Sequence, residues 1–161
     1  ADFGVNQGWT SDNGFHRELA DVNGDGYDDI VGFGYAGTLV SLSNGDGTFA
    51  QVNLALDNFG QNQGWSSQDA FARAVADINN DGRDDVVGFG IAGTWVAYGQ
   101  TNGSLSTASF DVADFGANQG WTSDATFHRT IADIDNDGFN DIVGFGFAGV
   151  LAATNQDDLL I

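Results

Sequence analysis

Apolar residues come in short runs broken by clusters of Gly, Asp and Asn, and no stretch keeps helical spacing over roughly ten residues. Arg17–Val22 reads as a short strand entering an Asp/Asn/Gly loop. Asp29–Tyr35, rich in Ile, Val and Phe, is a second strand, followed by the turn Ala36-Gly37. Thr38–Ser43 alternates and ends at Asn44-Gly45-Asp46-Gly47, a strong hairpin signal, and Phe49–Leu56 is a fourth strand. The near-continuous run Ile30-Val31-Gly32-Phe33 predicts a strand covered on both faces, as where small sheets stack face to face.

The same pattern then repeats. Phe3-Gly4 recurs as Phe59-Gly60 and Phe115-Gly116, a spacing of 56 residues both times, with Asn-Gln-Gly-Trp at 6–9, 62–65 and 118–121 in the same register. Arg17, Arg73 and Arg129 align, as do Gly-Phe-Gly at 32–34, 88–90 and 144–146. Four short strands in a unit of about 40–60 residues mark a blade; a β-solenoid fits less well because its coils are usually shorter. The expected fold is all-β, a β-propeller of four-stranded antiparallel blades in one segment, 1–161, with repeat 1 at 3–58, repeat 2 at 59–114 and an incomplete repeat 3 at 115–161. Three blades do not fill a ring of about four to eight. Oligomerisation, two chains giving six blades, or missing sequence must complete it, and the third unit's lack of a fourth strand leaves an edge to be paired.

Composition narrows the chemistry. The chain's 161 residues hold 23 acidic residues against four Arg and no Lys, for a net charge of -19, and Glu18 is the one Glu. That balance argues against nucleic acid or an anionic membrane as partner, since phosphate binding needs clustered Lys and Arg. Hydrophobic residues at 42% supply a real core, and without Cys there is no disulfide framework, thiol catalysis or zinc ribbon. No apolar run approaches the roughly 20 residues of a membrane span, and no signal-peptide pattern opens the chain. The missing initiator Met suggests processing or a piece of a longer chain.

The acidity is concentrated in one loop per unit. Asp21, Asn23, Asp25 and Asp29 place oxygen side chains at loop positions 1, 3, 5 and 9, with Gly at 6; the copies are Asp77, Asn79, Asp81, Asp85 and Asp133, Asp135, Asp137, Asp141. Calcium takes six to eight hard oxygens at about 2.3–2.6 Å, and the carbonyls of Tyr27, Arg83 and Phe139 are the expected backbone ligands. An EF-hand is excluded, because its twelfth position is Gly32, Gly88 and Gly144 where a bidentate Glu is needed, and strands flank the loop. The alternative is a metal-free Asx-turn hairpin. Closely set carboxylates repel without a cation, so one structural Ca²⁺ per repeat is the expectation, which fits a calcium-rich exterior better than cytosol.

The loop pattern resembles the calcium loops of FG-GAP/VCBS-type propeller repeats, such as those of the integrin head. With its Phe-Gly-x-Asn-Gln-Gly-Trp, Phe-His-Arg and Gly-Phe-Gly-x-Ala-Gly segments, the whole unit is similar to the Psathyrella velutina lectin family. That resemblance implies binding of terminal N-acetylglucosamine, and sometimes sialic acid, in pockets between neighbouring blades. Known members are complete rings, and this chain departs from them in repeat number.

In an antiparallel meander the acidic loop lies at one end of the blade, and the Tyr35-Ala36-Gly37 turn shares the other end with the long connection Phe3–Phe15. A sugar pocket needs an aromatic face and a few convergent polar groups. Trp65, Asp69 and Arg73 facing Tyr35, Ala36 and Gly37 form one candidate set. A second is Trp121, Asp124, His128 and Arg129 facing Ile91, Ala92 and Gly93. Trp9, Asp12, His16 and Arg17 would need a preceding blade from another chain. Each has a plainer alternative: the Trp as blade packing, the Arg as a salt-bridge partner of an Asp, and the His as a polar contact. Ala72 replaces the His in the middle unit. Asn102-Gly103-Ser104 fits a glycosylation sequon and equally a hairpin turn. There is no G-x-S-x-G or HExxH motif, and repetition of the same weak chemistry suits a multivalent binder rather than an enzyme. An integrin-like protein-interaction propeller and a purely structural repeat are the competing readings.

Overall fold

The computed structural model describes residues 2–155. The first blade is an antiparallel sheet in the order β1 (Arg17–Ala20), β2 (Asp29–Phe33), β3 (Thr38–Ser41), β4 (Asn53–Leu56). The second follows it with β5 (Arg73–Ala76), β6 (Asp85–Phe89), β7 (Thr94–Ala97) and β8 (Ser109–Val112). The third has β9 (Arg129–Ala132), β10 (Asp141–Gly146) and β11 (Gly149–Ala153), with no fourth strand among the described residues. The first strand of each blade lies beside that of the next, β1 near β5 and β5 near β9, so the blades fan around a common axis as an open arc.

The strands are shorter than the sequence predicts, for local reasons. β1 stops at Ala20 because the Val22 amide leaves the ladder and donates to the Asp29 carboxylate, 3.3 Å away. β2 stops at Phe33, where the Gly34 amide turns to the Gly37 carbonyl at 2.9 Å. The predicted start of the fourth strand survives as a lone bridge between Ser43 and Phe49.

The core lies between blades. Val22, Val31, Phe33 and Val40 of the first blade pack with Phe59, Trp65 and Val86 of the second unit, and Val87, Phe89 and Val96 pack with Phe115, Trp121 and Ile142 of the third. All five residues of β6 are buried, as expected of a strand covered on both faces. The glycine at the centre of each such strand is required by this packing. A Cβ on Gly88 would sit 2.5 Å from the Phe59 ring and 2.6 Å from that of Trp65.

Candidate functional site

Each long connection opens with Phe-Gly and one turn of 3₁₀ helix, at Val5–Gln7, Gln61–Gln63 and Ala117–Gln119, closed by a glycine with φ of 97° to 99°. This turn docks on the preceding blade. The Gln61 and Asn62 amides donate to the carbonyls of Gly34 and Tyr35 at 3.0 Å, and the Gln63 side chain donates to the Ala36 carbonyl at 3.1 Å. Ala117, Asn118 and Gln119 repeat these bonds on Gly90, Ile91 and Ala92. The connection and the turn Tyr35-Ala36-Gly37 therefore share one end of the fan, as the meander predicts. The acidic loops share the other with the hairpin after β3, where Ser43 donates its amide to Asp29 at 2.8 Å.

The tryptophans do not face the preceding turn, contrary to expectation. Trp9, Trp65 and Trp121 are buried and lie over the glycines of their own sheets; the Trp9 ring would meet a Cβ on Gly32 and the Trp121 ring one on Gly144. The Trp65 indole donates to Asn58 at 3.2 Å, and that of Trp121 to Asp114 at 3.3 Å. The cavity beside Trp65, about 270 Å³, is completed by Gln63, Phe71, Trp95 and the second unit's own turn Ile91–Ala92. Its counterpart beside Trp121, about 440 Å³, is walled by Gln119, Phe127, Phe147 and Ala148. In the first unit Tyr35 packs edge-on against Phe15, ring centres 4.9 Å apart.

The arginines are also withdrawn from solvent. Arg73 is 1% and Arg129 4% exposed. Arg73 Nη1 donates to the carbonyls of Phe59 (3.1 Å) and Trp65 (3.4 Å), and its guanidinium lies 5.0 Å from the centre of the Phe33 ring on the preceding blade. Arg129 does the same with Phe115, Trp121 and, at 5.2 Å, Phe89. Burial pulls Arg73 down to about 10, with Asp12 opposing. Arg129 Nε donates to Asp124 at 3.3 Å, whereas Arg73 Nε donates to neutral Gln68 at 3.1 Å. Gln68, not Asp69, is thus the counterpart of Asp12 and Asp124. Asp69 instead reaches the third blade, accepting from Ser123 Oγ at 2.9 Å and the Ala125 amide at 2.8 Å, bonds that hold its carboxyl below the usual range. Arg17 is half-buried over Trp9 and donates to the Phe3 carbonyl at 2.9 Å.

His16 is held on both nitrogens, by Asp12 at 2.9 Å and Glu18 at 2.6 Å, with its ring parallel to Phe33. Glu18 also accepts the Val75 amide of the next blade at 3.1 Å. Burial disfavours the charged ring, but the bonds to Glu18 and Asp12 prevail and raise its pKa above 6.5. His128 keeps the contact to Asp124 at 2.9 Å and remains largely exposed, and Ala72 is buried. The structure thus brings His128 and Arg129 onto one carboxylate, Asp124, and joins His16 to Asp12, while none of these side chains lines the cavities beside Trp65 and Trp121.

In the acidic loops Asp21 folds the turn around itself, accepting amides of Gly24 (2.8 Å), Asp25 (3.1 Å) and Gly26 (2.7 Å). Asp29, Asp85 and Asp141 are fully buried, each accepting two backbone amides. Burial pushes Asp85 up to about 7, with Asp81 and Asp77 adding to it against the amides of Gly99 and Ile78. In the third loop carboxylate oxygens of Asp133, Asp135 and Asp141 lie within 4.8 Å of one another. In the second loop the guanidinium of Arg83 pairs with Asp81 and its Nε donates to the Gly99 carbonyl at 2.9 Å. An all-oxygen, strongly acidic donor set that already attracts a side-chain cation fits a hard metal ion.

Residues 21–88 match the family model of the FG-GAP-like repeat. None of the curated proteins compared with the chain matches it. Among solved structures, an Agrocybe aegerita lectin described for specific recognition of non-reducing terminal N-acetylglucosamine is 40% identical, with a TM-score of 0.89, over 96% of this chain and 38% of its own. The TcdB2–TccC3 complex (14% identity, TM-score 0.66, 87% of this chain and 6% of its own) and the Photorhabdus luminescens Tc holotoxin pore (14%, 0.65, 88% and 6%) share the fold alone. The chain is a β-propeller segment that carries an FG-GAP-like repeat over residues 21–88. Over that shared fold the chain is similar to the Agrocybe lectin, and it spans 38% of that lectin's length.

Proposed function

We propose that the chain is a multivalent, non-catalytic lectin that binds terminal N-acetylglucosamine, with sialic acid as a second ligand, on the face formed by the long connections. The relation to the Agrocybe lectin over nearly the whole chain carries this reading. The cavities beside Trp65 and Trp121 support it, since each sets aromatic walls against a polar rim (Gln63 and Asn58; Gln119 and Asp114). The His16–Asp12 and His128–Asp124 pairs lie on the same connections. Buried Arg73 and Arg129 then act by fixing the connection, through the carbonyls they bind, rather than by meeting sugar.

Calcium belongs to this reading as a structural ion of the opposite face. Asp133, Asp135, Asp137, Asp141 and the Phe139 carbonyl would hold it in the third loop, with the matching residues in the other two. Desolvation and the charges of Asp137, Asp141 and Asp133 raise the pKa of Asp135, repulsion that a cation would relieve. Calcium at about 100 times its Kd is expected to stabilise the fold by about 2.7 kcal/mol per site, read as a rise in Tm that chelator reverses. An unchanged Tm removes calcium from the account.

The deciding experiment is a glycan array with free N-acetylglucosamine as competitor. Selective, competed binding, weakened by Gln63→Ala and Gln119→Ala with the fold intact, supports the lectin reading. A folded protein that binds no glycan sinks it and leaves the protein-interaction propeller.

A further inference from the structure

The three acidic loops share their oxygen-donor positions but not their charge. Position 3 is Asn23, Asn79 and Asp135, so the third loop sets carboxylates at all four of positions 1, 3, 5 and 9, where the others set three. Position 7 is Tyr27, Arg83 and Phe139. Position 8 reaches the preceding blade instead: Asp84 accepts the Asp21 amide at 2.9 Å, and Asn140 donates to the Asp77 carbonyl at 2.7 Å. In the second loop Arg83 turns its guanidinium onto Asp81, whose Oδ2 accepts from Arg83 Nη2 and, at 3.1 Å, from Asn79 Nδ2, while its Oδ1 accepts the Arg83 amide at 3.0 Å. Both oxygens at position 5 are therefore committed. In the first loop Asp25 keeps the matching bonds to Asn23 and the Tyr27 amide and meets no guanidinium among the described residues. In the third, Asp137 accepts the Phe139 amide at 2.9 Å, and its neighbours Asp133, Asp135 and Asp141 converge.

Arg83 is held where it stands by more than Asp81. Its Nε donates to the Gly99 carbonyl at 2.9 Å, and its stem runs against the first loop, where a Cβ on Gly24 would meet Arg83 Cγ at 2.9 Å. Its head borders a cavity of about 530 Å³ shared with Asn79, Asp81, Tyr98 and Gln100, which gives it room to leave. We propose that Arg83 is the second loop's own cation, so that calcium enters the third loop first, the first loop next and the second loop last, and there by displacing Arg83. The proposal rests on the calcium reading of these loops. Affinity in oxygen-ligand loops follows the charge of the donor set. The third loop offers four carboxylates and the first three, whereas the second offers three less the charge of a guanidinium that stays protonated. An ion entering the second loop must first separate the Arg83–Asp81 pair and then sit beside a like charge. The same pair keeps the middle loop folded without calcium.

Calorimetric titration of the chelator-stripped 161-residue chain with calcium counts the sites. Two tight ions are expected, with a third weaker by about tenfold or more. Asp133→Asn and Asp21→Asn should each remove one tight ion, whereas Asp77→Asn should leave both. Arg83→Tyr, which gives the second loop the residue of the first, is expected to tighten the weak site by about tenfold. In chelator the Arg83→Tyr chain should melt below the wild type, because its loop has lost its cation, and saturating calcium should close that gap. A purely structural Arg83 would instead lower Tm equally in both buffers. That result overturns the proposal, as do three equal sites in the wild type or a tight count that Asp77→Asn lowers. Absence of calcium binding by wild type and Arg83→Tyr alike removes the calcium reading itself, and the proposal with it.

Discussion

The seam between the first and second blades and the seam between the second and third have one frame and two electrostatic fillings. In both, a phenylalanine at the end of the blade's second strand lies under the guanidinium of the next blade, whose Nη1 donates to the same two carbonyls. Around that frame the first seam has His16, Asp12 and Glu18 with neutral Gln68 on the arginine, and the second has Ala72 with Asp124 on the arginine. The frame is therefore set by shape and by backbone carbonyls, and the neighbouring side-chain charges are free to differ. Arg73 is fully buried without a carboxylate in contact. Its carbonyl bonds and the ring beneath it offset the desolvation that lowers its pKa.

If the frame is the common element, emptying it should be equally harmful in both seams. Phe33→Ala and Phe89→Ala are each expected to cost about 3–5 kcal/mol, the usual range for a fully buried phenylalanine. Urea unfolding of the two variants tests this. A gap between them larger than about 1 kcal/mol would show that the ring of His16 against Phe33 carries part of the first seam.

Removing the arginines should separate the seams. Arg129→Met leaves the Asp124 carboxylate with exposed His128 alone in place of its buried cation, whereas Arg73→Met leaves a neutral amide, so Arg129→Met is expected to be the more destabilising by about 1–2 kcal/mol. Repeating the pair in the background of Asp124→Asn should close the difference. A double-mutant cycle reads that coupling directly, and a gap that persists places its origin elsewhere in the seam.

The frame was legible in the sequence because it repeats: Phe, Arg and Gly recur at a spacing that no insertion disturbs, and the strands follow from the runs between turn residues. The depth of the arginines was not legible. Arg is almost never fully buried unless paired, and the partners that Arg73 and Arg129 share are backbone carbonyls, which carry no sequence signature. The tryptophans' place over their own sheet is not legible for a related reason, since it depends on the missing Cβ atoms of Gly32, Gly88 and Gly144. Chemical type aligns Asp69 with Asp12 and Asp124, whereas the spacing of 56 assigns that place to Gln68. Register would have found it. Loop positions 1, 3, 5 and 9 were readable as oxygen donors, but the pairing of Arg83 with Asp81 required the side-chain path.

The smallest expected effect is a pH slope confined to the first seam. His16 has its pKa raised in the folded state: burial works against the charged ring, and the bonds to Glu18 and Asp12 more than compensate. A raised folded pKa means that protonation stabilises the fold. The contribution is fully present below about 6.5, the unfolded value, and is lost as pH rises through the folded one. Ala72 gives the second seam no equivalent. The difference in Tm between the wild type and His16→Ala should therefore be greatest in mildly acidic buffer and shrink as pH rises through neutrality. Glu18→Gln should flatten most of it, because that carboxylate makes the shorter bond to the ring and joins it to the Val75 amide across the seam. A difference that stays constant from pH 5.5 to 8.5 would reduce His16 to a packing residue, and the two seams would then differ in composition without differing in charge response.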